Sequence, residues 1–229
     1  MSEVNLIALS SPSAVTDCHT AGELIAYTAR VSNPANQSNK KTAPKLLQYL
    51  IKEQHWSPFE MVHMTLEIKT TRDIARQILR HRSFSFQEFS QRYAVATEFE
   101  TREARLQDEK NRQNSVETDD KKLEEWWQMQ QKKVQGQADL AYRDALKRGI
   151  AKEQARALLP EGLTQSTLYM AGSLRSWIHY CDLRMGNGTQ KEHAEIAEKC
   201  WEIIGVHFPD IVKALHWSNE LTDDAGQIV

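Results

Sequence analysis

Apolar and polar positions alternate most clearly in the segment 61–70. There Met64, Leu66 and Ile68 are separated by single polar residues, which predicts a strand with one buried face. A second short apolar run, from Val4 to Leu9, predicts another strand. The aromatic segment that begins at Arg82 is expected to run extended into a third strand at residues 92–96.

Apolar residues recur at helical spacing over most of the remaining chain. Thr20 followed by Glu23 is typical of a capping box, and Thr42 with Pro44 is typical of a second helix start. Further helices are predicted over 70–82, 121–148, 152–159, 173–184 and 190–206, whereas 164–170 fits a strand or a helix. The polar segment 97–120, which we call the excursion, is predicted to consist at least partly of loop.

Many helices and few strands, without a regular strand–helix–strand repeat, predict a helix-dominated α+β fold. We expect a small, mostly antiparallel sheet flanked by helices. The length of 229 residues favours a single domain, 1–229, with a frayed tail from about residue 219.

Composition narrows the class of function. The chain carries 29 basic and 31 acidic residues, and this balance argues against a nucleic-acid coat or a membrane-surface protein. No apolar stretch approaches the roughly 18–20 residues that cross a bilayer, and the N-terminus lacks the pattern of a secretion signal. Three cysteines without a CxxC pair favour a reducing, cytoplasmic location.

Residues suited to anion binding are densest between Gln77 and Tyr93. Its arginines can each place two donors on an oxyanion, and its aromatic rings offer flat faces to a base. A solvated helix end above a phenylalanine core is the structural alternative. Alternation along a strand would put Glu88, Ser90 and Arg92 on one side, and we expect them to face Gln77 and Arg80 across a pocket for a nucleotide.

The run RHRSFSFQEFSQRY, residues 80–93, resembles the signature of the flavin-dependent thymidylate synthases. ARVS and HWSPFE precede it in the family's order, and RALLP, SLRSWIHYCDLR and QKE follow, so the resemblance spans roughly 4–206. It implies a methyltransferase that converts dUMP to dTMP. Methylenetetrahydrofolate would donate the carbon, and FAD reduced by NADPH would supply the hydride.

The resemblance also implies roles for matching positions. It assigns dUMP contacts to Gln77, Arg80, Glu88, Phe89, Ser90, Gln91, Arg92, Arg156 and Arg184, with Arg184 as the catalytic residue. It assigns FAD contacts to His55, Ser57, Arg80, His81, Arg82, Glu88, Ser173, Leu174, Arg175 and His179. Gln87 stands where asparagine is usual in the family's signature. Ser173 and His179 stand where family members often have asparagine. The family forms homotetramers whose active sites are shared between subunits.

The chemistry suggested by the residues does not need a cysteine nucleophile. Cys18, Cys181 and Cys200 lie away from the signature, and free cysteines are commonly buried structural residues, so we predict structural roles for them. A fixed charge from Arg184 beside the pyrimidine would instead push electron density to its carbon 5. The scattered histidines predict no metal site.

Two other functions remain open from the sequence. One is a flavoprotein of the same fold with altered activity. The other is a single-strand nucleic-acid-binding module built on arginines and phenylalanines, against which the near-neutral charge already counts.

Overall fold

The computed structural model describes residues 2–96, 98–186 and 188–219, with side chains up to residue 216. Its helices and strands follow one another as β1 (Glu3–Leu9), α1 (Ala21–Ala29), α2 (Ala43–Lys52), β2 (His63–Thr71), α3 (Arg72–Ile78), β3 (Ser85–Glu88), β4 (Leu106–Gln107), β5 (Ser115–Val116), α4 (Lys121–Lys147), α5 (Lys152–Ala155), β6 (Gln165–Ser173), α6 (Leu174–Met185), α7 (Lys191–His207) and α8 (Pro209–Asn219).

Four strands form the main sheet, in the order β1-β2-β6-β3. Strands β1 and β2 run antiparallel, because Ser10 bonds to His63 at one end and Ser2 to Thr70 at the other. The alternation predicted in β2 is confirmed, since its apolar residues are buried and the residues between them are half-buried. The segment 164–170, which fitted either a strand or a helix, forms most of β6. The predicted α+β class, with a small antiparallel sheet and flanking helices, is confirmed.

Contacts divide the chain into two compact units. The first consists of Met1–Asn5, Glu67–Met170 and Arg184–Ala197, and the second of Leu6–Leu66, Ala171–Leu183 and Glu198–Val229. Strands β1, β2 and β6 contribute residues to both units. A single domain over 1–229 stays a prediction, and the predicted frayed tail beyond 219 lies outside the described residues.

The second unit contains the best sequence-predicted helix start. Thr20 Oγ1 accepts a hydrogen bond from the Glu23 amide at 3.1 Å, and the Glu23 carboxylate accepts from the His19 amide at 2.6 Å. Asp210, in the first turn of α8, accepts from Thr20 Oγ1 at 2.8 Å and from the Gly22 amide at 2.9 Å. A β-carbon at Gly22 would lie 2.2 Å from that same carboxylate oxygen, so a side chain here would displace the Asp210 carboxylate from its hydrogen bonds to α1.

The first unit differs from expectation in the signature. The helix predicted over 70–82 ends at Ile78 as α3, so Arg80 lies beyond the helix. No strand covers 92–96 in the described part of this segment, because β3 already ends at Glu88 and a turn follows. Ser90 makes that turn, accepting from the Arg92 amide through its hydroxyl at 3.3 Å, a local bond that competes with strand pairing.

The excursion 97–120 is anchored through Arg102 to the start of α3, the helix that precedes the signature. Arg102 donates from Nη2 to both Asp73 carboxylate oxygens, at 2.7 and 2.8 Å, and to Thr71 Oγ1 at 2.7 Å. Its carbonyl accepts from Gln128 and Gln131 of α4, at 2.8 and 2.7 Å. One residue therefore ties the excursion to both α3 and α4.

Among the described residues, no helix combines the length and the apolar character needed to cross a membrane.

Candidate functional site

The first unit contains a cavity of about 410 Å³ lined by three arginines, which we call the arginine pocket. Its lining residues are Arg72, Arg76, Gln91, Glu153, Arg156, Ala157, Leu159 and Glu161. Gln91 is only 4% exposed, and its Nε2 donor has no hydrogen-bond partner among the described residues. Because buried donors are normally paired, this amide and the guanidinium groups together favour an anionic ligand.

Carboxylates neutralise only part of the charge around the arginine pocket. Arg76 is ion-paired with Glu161, and Arg92, close by, is ion-paired with Glu153 at 3.0 Å. Arg156 donates from Nε to the Glu153 carbonyl at 3.2 Å and has no carboxylate partner in the part of the chain that the structure describes. Its cation is therefore available to an oxyanion.

Glu88 links strand β3 to this pocket. Its carboxylate accepts from the Ser166 hydroxyl at 2.8 Å and lies 3.3 Å from Nη1 of Arg72. The next residue, Phe89, donates its amide to the Thr167 carbonyl at 2.8 Å. Both contacts fix the signature against β6. The turn that follows places Gln91 inside and Arg92 outside, so the predicted common side for Glu88, Ser90 and Arg92 is wrong.

A second polar cluster in the same unit contains Gln77, His81, Arg184, Gln190 and His193, and we call it the glutamine–histidine cluster. Gln77 donates from Nε2 to Gln190 Oε1 at 2.8 Å, and Arg184 donates from Nε to His81 Nε2 at 2.9 Å. His193 is fully buried. Its ring stands nearly perpendicular to that of His81, with 6.2 Å between the centroids.

Both histidines of the glutamine–histidine cluster favour the neutral form. Burial, and then the Arg184 cation, lowers the pKa of His81. Burial, with smaller contributions from Arg184 and His81, lowers the pKa of His193 to about 3. At neutral pH these rings therefore act as neutral donors and acceptors, while Arg184 carries the charge.

Two arginines of the signature stand apart from both groups. The side chains of Arg80 and Arg82 are exposed, and neither forms a hydrogen bond or ion pair within the described ranges. The structure therefore does not bring Arg80 and Arg92 together across one pocket. Both exposed guanidinium groups remain available to an anionic ligand.

The remaining FAD positions predicted from the resemblance lie in the second unit. His179 packs edge-on against Trp56 with 4.7 Å between ring centroids, and His55 packs edge-on against Tyr49 with 5.9 Å. Burial, then Arg175, lowers the pKa of His179 despite the opposing effect of Asp182. Both histidines are exposed, and their rings could flank a planar ring system.

The start of α6 offers less to a ligand. Ser173 is 9% exposed and caps the helix, accepting from the Ser176 amide at 3.3 Å. Leu174 is fully buried, and its amide donates to the Val62 carbonyl at 2.7 Å. Arg175 is exposed and ion-paired with Glu60. Of the three, Arg175 has the side chain best placed for an anion, and Ser57 nearby is exposed as well.

Sequence reasoning missed Arg72 and Arg76 of the arginine pocket, and Gln190 and His193 of the glutamine–histidine cluster. The first two stand four residues apart at the start of α3, a spacing that puts them on one helical face. Gln190 begins the QKE segment already noted. His193 gave no such signal, because its partners are distant in sequence.

The cysteines suit structural roles. Cys181 and Cys200 are fully buried and all three cysteines are free. Burial, then Asp182, raises the pKa of Cys181 to about 12, and burial raises that of Cys200. Among the described residues, no group of three or more histidine, cysteine or acidic side chains could hold a metal ion; that no metal is used stays a prediction.

A helix-dominated α+β fold, with an arginine-lined cavity and a buried unpaired amide, defines a protein suited to binding an anionic nucleotide. The sequence matches the family described as thymidylate synthase complementing protein over residues 14–210. The chain belongs to this family.

Relatives and solved structures agree with this assignment. A probable flavin-dependent thymidylate synthase from Paramecium bursaria Chlorella virus 1 is 54% identical over 213 residues, 93% of this chain and 98% of the viral protein. A flavin-dependent thymidylate synthase from Synechocystis is 54% identical over 94% of this chain and all of that protein. A UMP/dUMP methylase from Streptomyces cacaoi, solved with 5-Br dUMP, has a TM-score of 0.80 and 25% identity, covering 94% of this chain and 95% of that one.

Proposed function

We propose that this chain is a flavin-dependent thymidylate synthase, a methyltransferase that converts dUMP to dTMP without a cysteine nucleophile. The observation that carries the proposal is the buried, unpaired Gln91 amide in a cavity lined by Arg72, Arg76 and Arg156. A nucleotide phosphate fits this donor set. The names and high identities of the relatives support the same activity.

The nucleotide then extends from the arginine pocket. Its phosphate binds Gln91, Arg92 and Arg156. Its sugar and the edge of its base contact Glu88, Phe89 and Ser90. Gln77, Arg80 and Arg184 complete the dUMP site in this proposal. Arg184, held by His81, places its charge beside the pyrimidine and stabilises negative charge on the ring, which raises the nucleophilicity of carbon 5.

In this proposal, FAD binds at the exposed arginines of the signature and at the histidine rings described above. The flavin, reduced by NADPH, supplies the hydride when bound, and methylenetetrahydrofolate supplies the carbon. In the first unit, Arg80, His81, Arg82 and Glu88 would contact the cofactor. In the second unit, His55, Ser57, Ser173, Leu174, Arg175 and His179 would contact it. The buried Leu174 would contribute only to the shape of the cofactor site.

The proposal includes a homotetramer with active sites shared between subunits. Its support on this chain is the outer face of α4, where Trp126 is 51%, Met129 58% and Leu140 72% exposed. Adjacent Trp127 is half-buried and its indole Nε1 is buried, whereas Trp126 lies on the exposed face. The proposed cytoplasmic location rests on the free cysteines and the sequence pattern, and neither nucleic acid nor membrane is a proposed partner.

The test is turnover by the purified protein. We expect a yellow preparation that NADPH bleaches and that releases tritium from carbon-5-labelled dUMP when methylenetetrahydrofolate is present. A yellow protein that reduces its flavin but leaves dUMP unchanged would point to altered activity. A colourless protein that FAD does not reconstitute, and whose affinity for single-stranded nucleic acid falls steeply with salt, would replace the proposal with the binding module.

A further inference from the structure

A directed row of hydrogen bonds runs through the glutamine–histidine cluster. Gln190 donates from Nε2 to Glu192 Oε2 at 2.9 Å, and Gln77 donates from Nε2 to Gln190 Oε1 at 2.8 Å. The row ends at His193, whose Nδ1 lies 3.3 Å from Gln77 Oε1. Its other end is near Arg102, whose Nε is 3.7 Å from Glu192 Oε1.

The direction of this row follows from its acidic end. A carboxylate only accepts hydrogen bonds, so Gln190 must point its amide nitrogen at Glu192 and its oxygen at Gln77. Gln77 must then point its nitrogen at Gln190 and its oxygen at His193. An amide oxygen only accepts, so the proton of His193 must sit on Nδ1.

Burial keeps this arrangement in one protonation state. The ring of His193 is completely enclosed, and the ionisable groups that act on it are Arg184 and His81. A second proton would put a cation into this enclosed space beside the Arg184 guanidinium, which is unfavourable.

We propose that His193 is a positioning residue: as a neutral ring with its proton on Nδ1, it sets the orientation of the Gln77 amide for the nucleotide. The inference rests on the proposed function, in which Gln77 contacts dUMP. Each amide group has two N–H donors and two oxygen lone pairs. The row uses one of each on Gln77, and so leaves one N–H and one lone pair, in known places, for the ligand.

His193 also buttresses the catalytic side. Its ring packs edge-on against His81, and His81 accepts the hydrogen bond from Arg184. One enclosed side chain therefore contacts both Gln77 and His81, the residue that accepts the hydrogen bond from Arg184.

Two substitutions separate positioning from packing. His193→Phe keeps a planar ring but removes the donor, whereas His193→Asn loses volume but keeps a donor near the Nδ1 position. We expect the Phe variant to raise the Kd for dUMP about tenfold, the loss of roughly one hydrogen bond to a neutral acceptor. The Asn variant should stay within about threefold of wild type. His207→Phe, at an exposed position on the same helix, is the control.

The measurements are the Kd and KM for dUMP, kcat, flavin content and far-UV circular dichroism. A Phe variant that binds dUMP like wild type, or an Asn variant as impaired as the Phe variant, would overturn the positioning role. If the Phe variant does not fold, Gln190→Leu is tested in its place, because it also interrupts the row of hydrogen bonds. We expect it to weaken dUMP binding, and an unchanged affinity for dUMP would contradict the inference. A wild-type protein that does not bind dUMP would instead refute the proposed function.

An independent readout needs no substrate. Nitrogen-15 NMR of labelled imidazole distinguishes the two neutral tautomers, and the signal of His193 is assigned by its absence in His193→Asn. We expect the proton on Nδ1 from pH 6 to 8. A proton on Nε2, or a charged ring in this range, would rule out the proposed orientation of Gln77.

Discussion

Arg184 donates from Nε to Nε2 of His81 over 2.9 Å. The histidine can accept this bond only through an unprotonated Nε2, so the neighbouring cation and the half-buried ring stabilise the same neutral state. The bond holds the guanidinium at one end of α6 against the signature segment. A charge held in place in this way costs little reorganisation when negative charge develops on a bound pyrimidine.

Replacement of Arg184 tests this electrostatic mechanism. Arg184→Ala should lower kcat by a factor of about 10²–10³, because removing one preorganised charge contact costs on the order of 2.7–4 kcal/mol. The assay is tritium release from carbon-5-labelled dUMP. Arg148→Ala removes an exposed arginine paired with Asp144 and should leave kcat unchanged. Normal turnover by Arg184→Ala would remove the mechanism but leave the family assignment intact.

The arginine pocket predicts an effect on binding instead. Arg156→Gln removes the cation that has no carboxylate partner, and we expect the Kd for dUMP to rise about 10- to 100-fold, since a hydrogen bond to a charged group is worth about 1.5–3 kcal/mol. Isothermal titration at two salt concentrations measures it. Deoxyuridine, which lacks the phosphate, should bind wild type and variant equally. A variant that binds dUMP like wild type would place the phosphate elsewhere.

Local patterns predicted much of the fold and part of the site. The alternation in β2 was sufficient to predict that strand, and the capping pair Thr20 and Glu23 was sufficient to predict the start of α1. Both signals depend only on residues close together in the sequence. The strand expected at 92–96 does not form, because the Ser90 hydroxyl accepts a hydrogen bond from the Arg92 amide and stabilises a turn. Such a local bond competes with strand pairing, and the alternation of residue types does not reveal it. Gln91 is consequently buried in the arginine pocket.

Long-range partners were beyond the sequence. Arg72 pairs with Glu88 through tertiary structure, and nothing in the spacing of the two residues indicates it. The same holds for His193, which lies 116 positions from Gln77. From the sequence, His193 reads as either a surface or a core residue, and only the fold reveals that it is buried against Gln77.

The anchor of the excursion predicts a stability effect. Arg102→Leu leaves the partly buried Asp73 carboxylate without its guanidinium, and we expect a loss of about 2 kcal/mol. For a protein of this size the Tm should fall by about 4–8 °C. Differential scanning calorimetry measures it, with Arg112→Leu, an exposed arginine of the same excursion, as the matched control. Equal Tm values for the two variants would show that the anchor contributes nothing.

The buried histidine predicts how stability depends on pH. The unfolded chain binds a proton at His193 with a pKa near 6.5, whereas the folded chain does not until about pH 3. The unfolded state therefore holds more protons below pH 6.5, and stability falls as the pH falls towards 3. Between pH 7.5 and 5 this histidine alone should cost about 2 kcal/mol, with His81 and His179 acting in the same direction.

Urea unfolding of wild type and His193→Asn at pH 7.5 and 5 measures the contribution of His193. The variant should lose about 2 kcal/mol less than wild type over this interval. His207→Asn, at an exposed position of the same helix, should keep the wild-type dependence. Parallel curves for wild type and His193→Asn would show that the buried ring does not set this pH dependence.

Cys181 provides the test against covalent catalysis. The thiol is fully buried and its pKa is raised to about 12, so on the order of one molecule in 10⁴–10⁵ carries a thiolate at pH 7.5. Cys181→Ala should therefore keep kcat within about twofold, while the small cavity left behind costs about 1–2 kcal/mol of stability. Cys18→Ala, at a half-buried position, is the control for removing a thiol. A Cys181→Ala protein that is folded and flavin-loaded but inactive would contradict this expectation and reopen covalent catalysis.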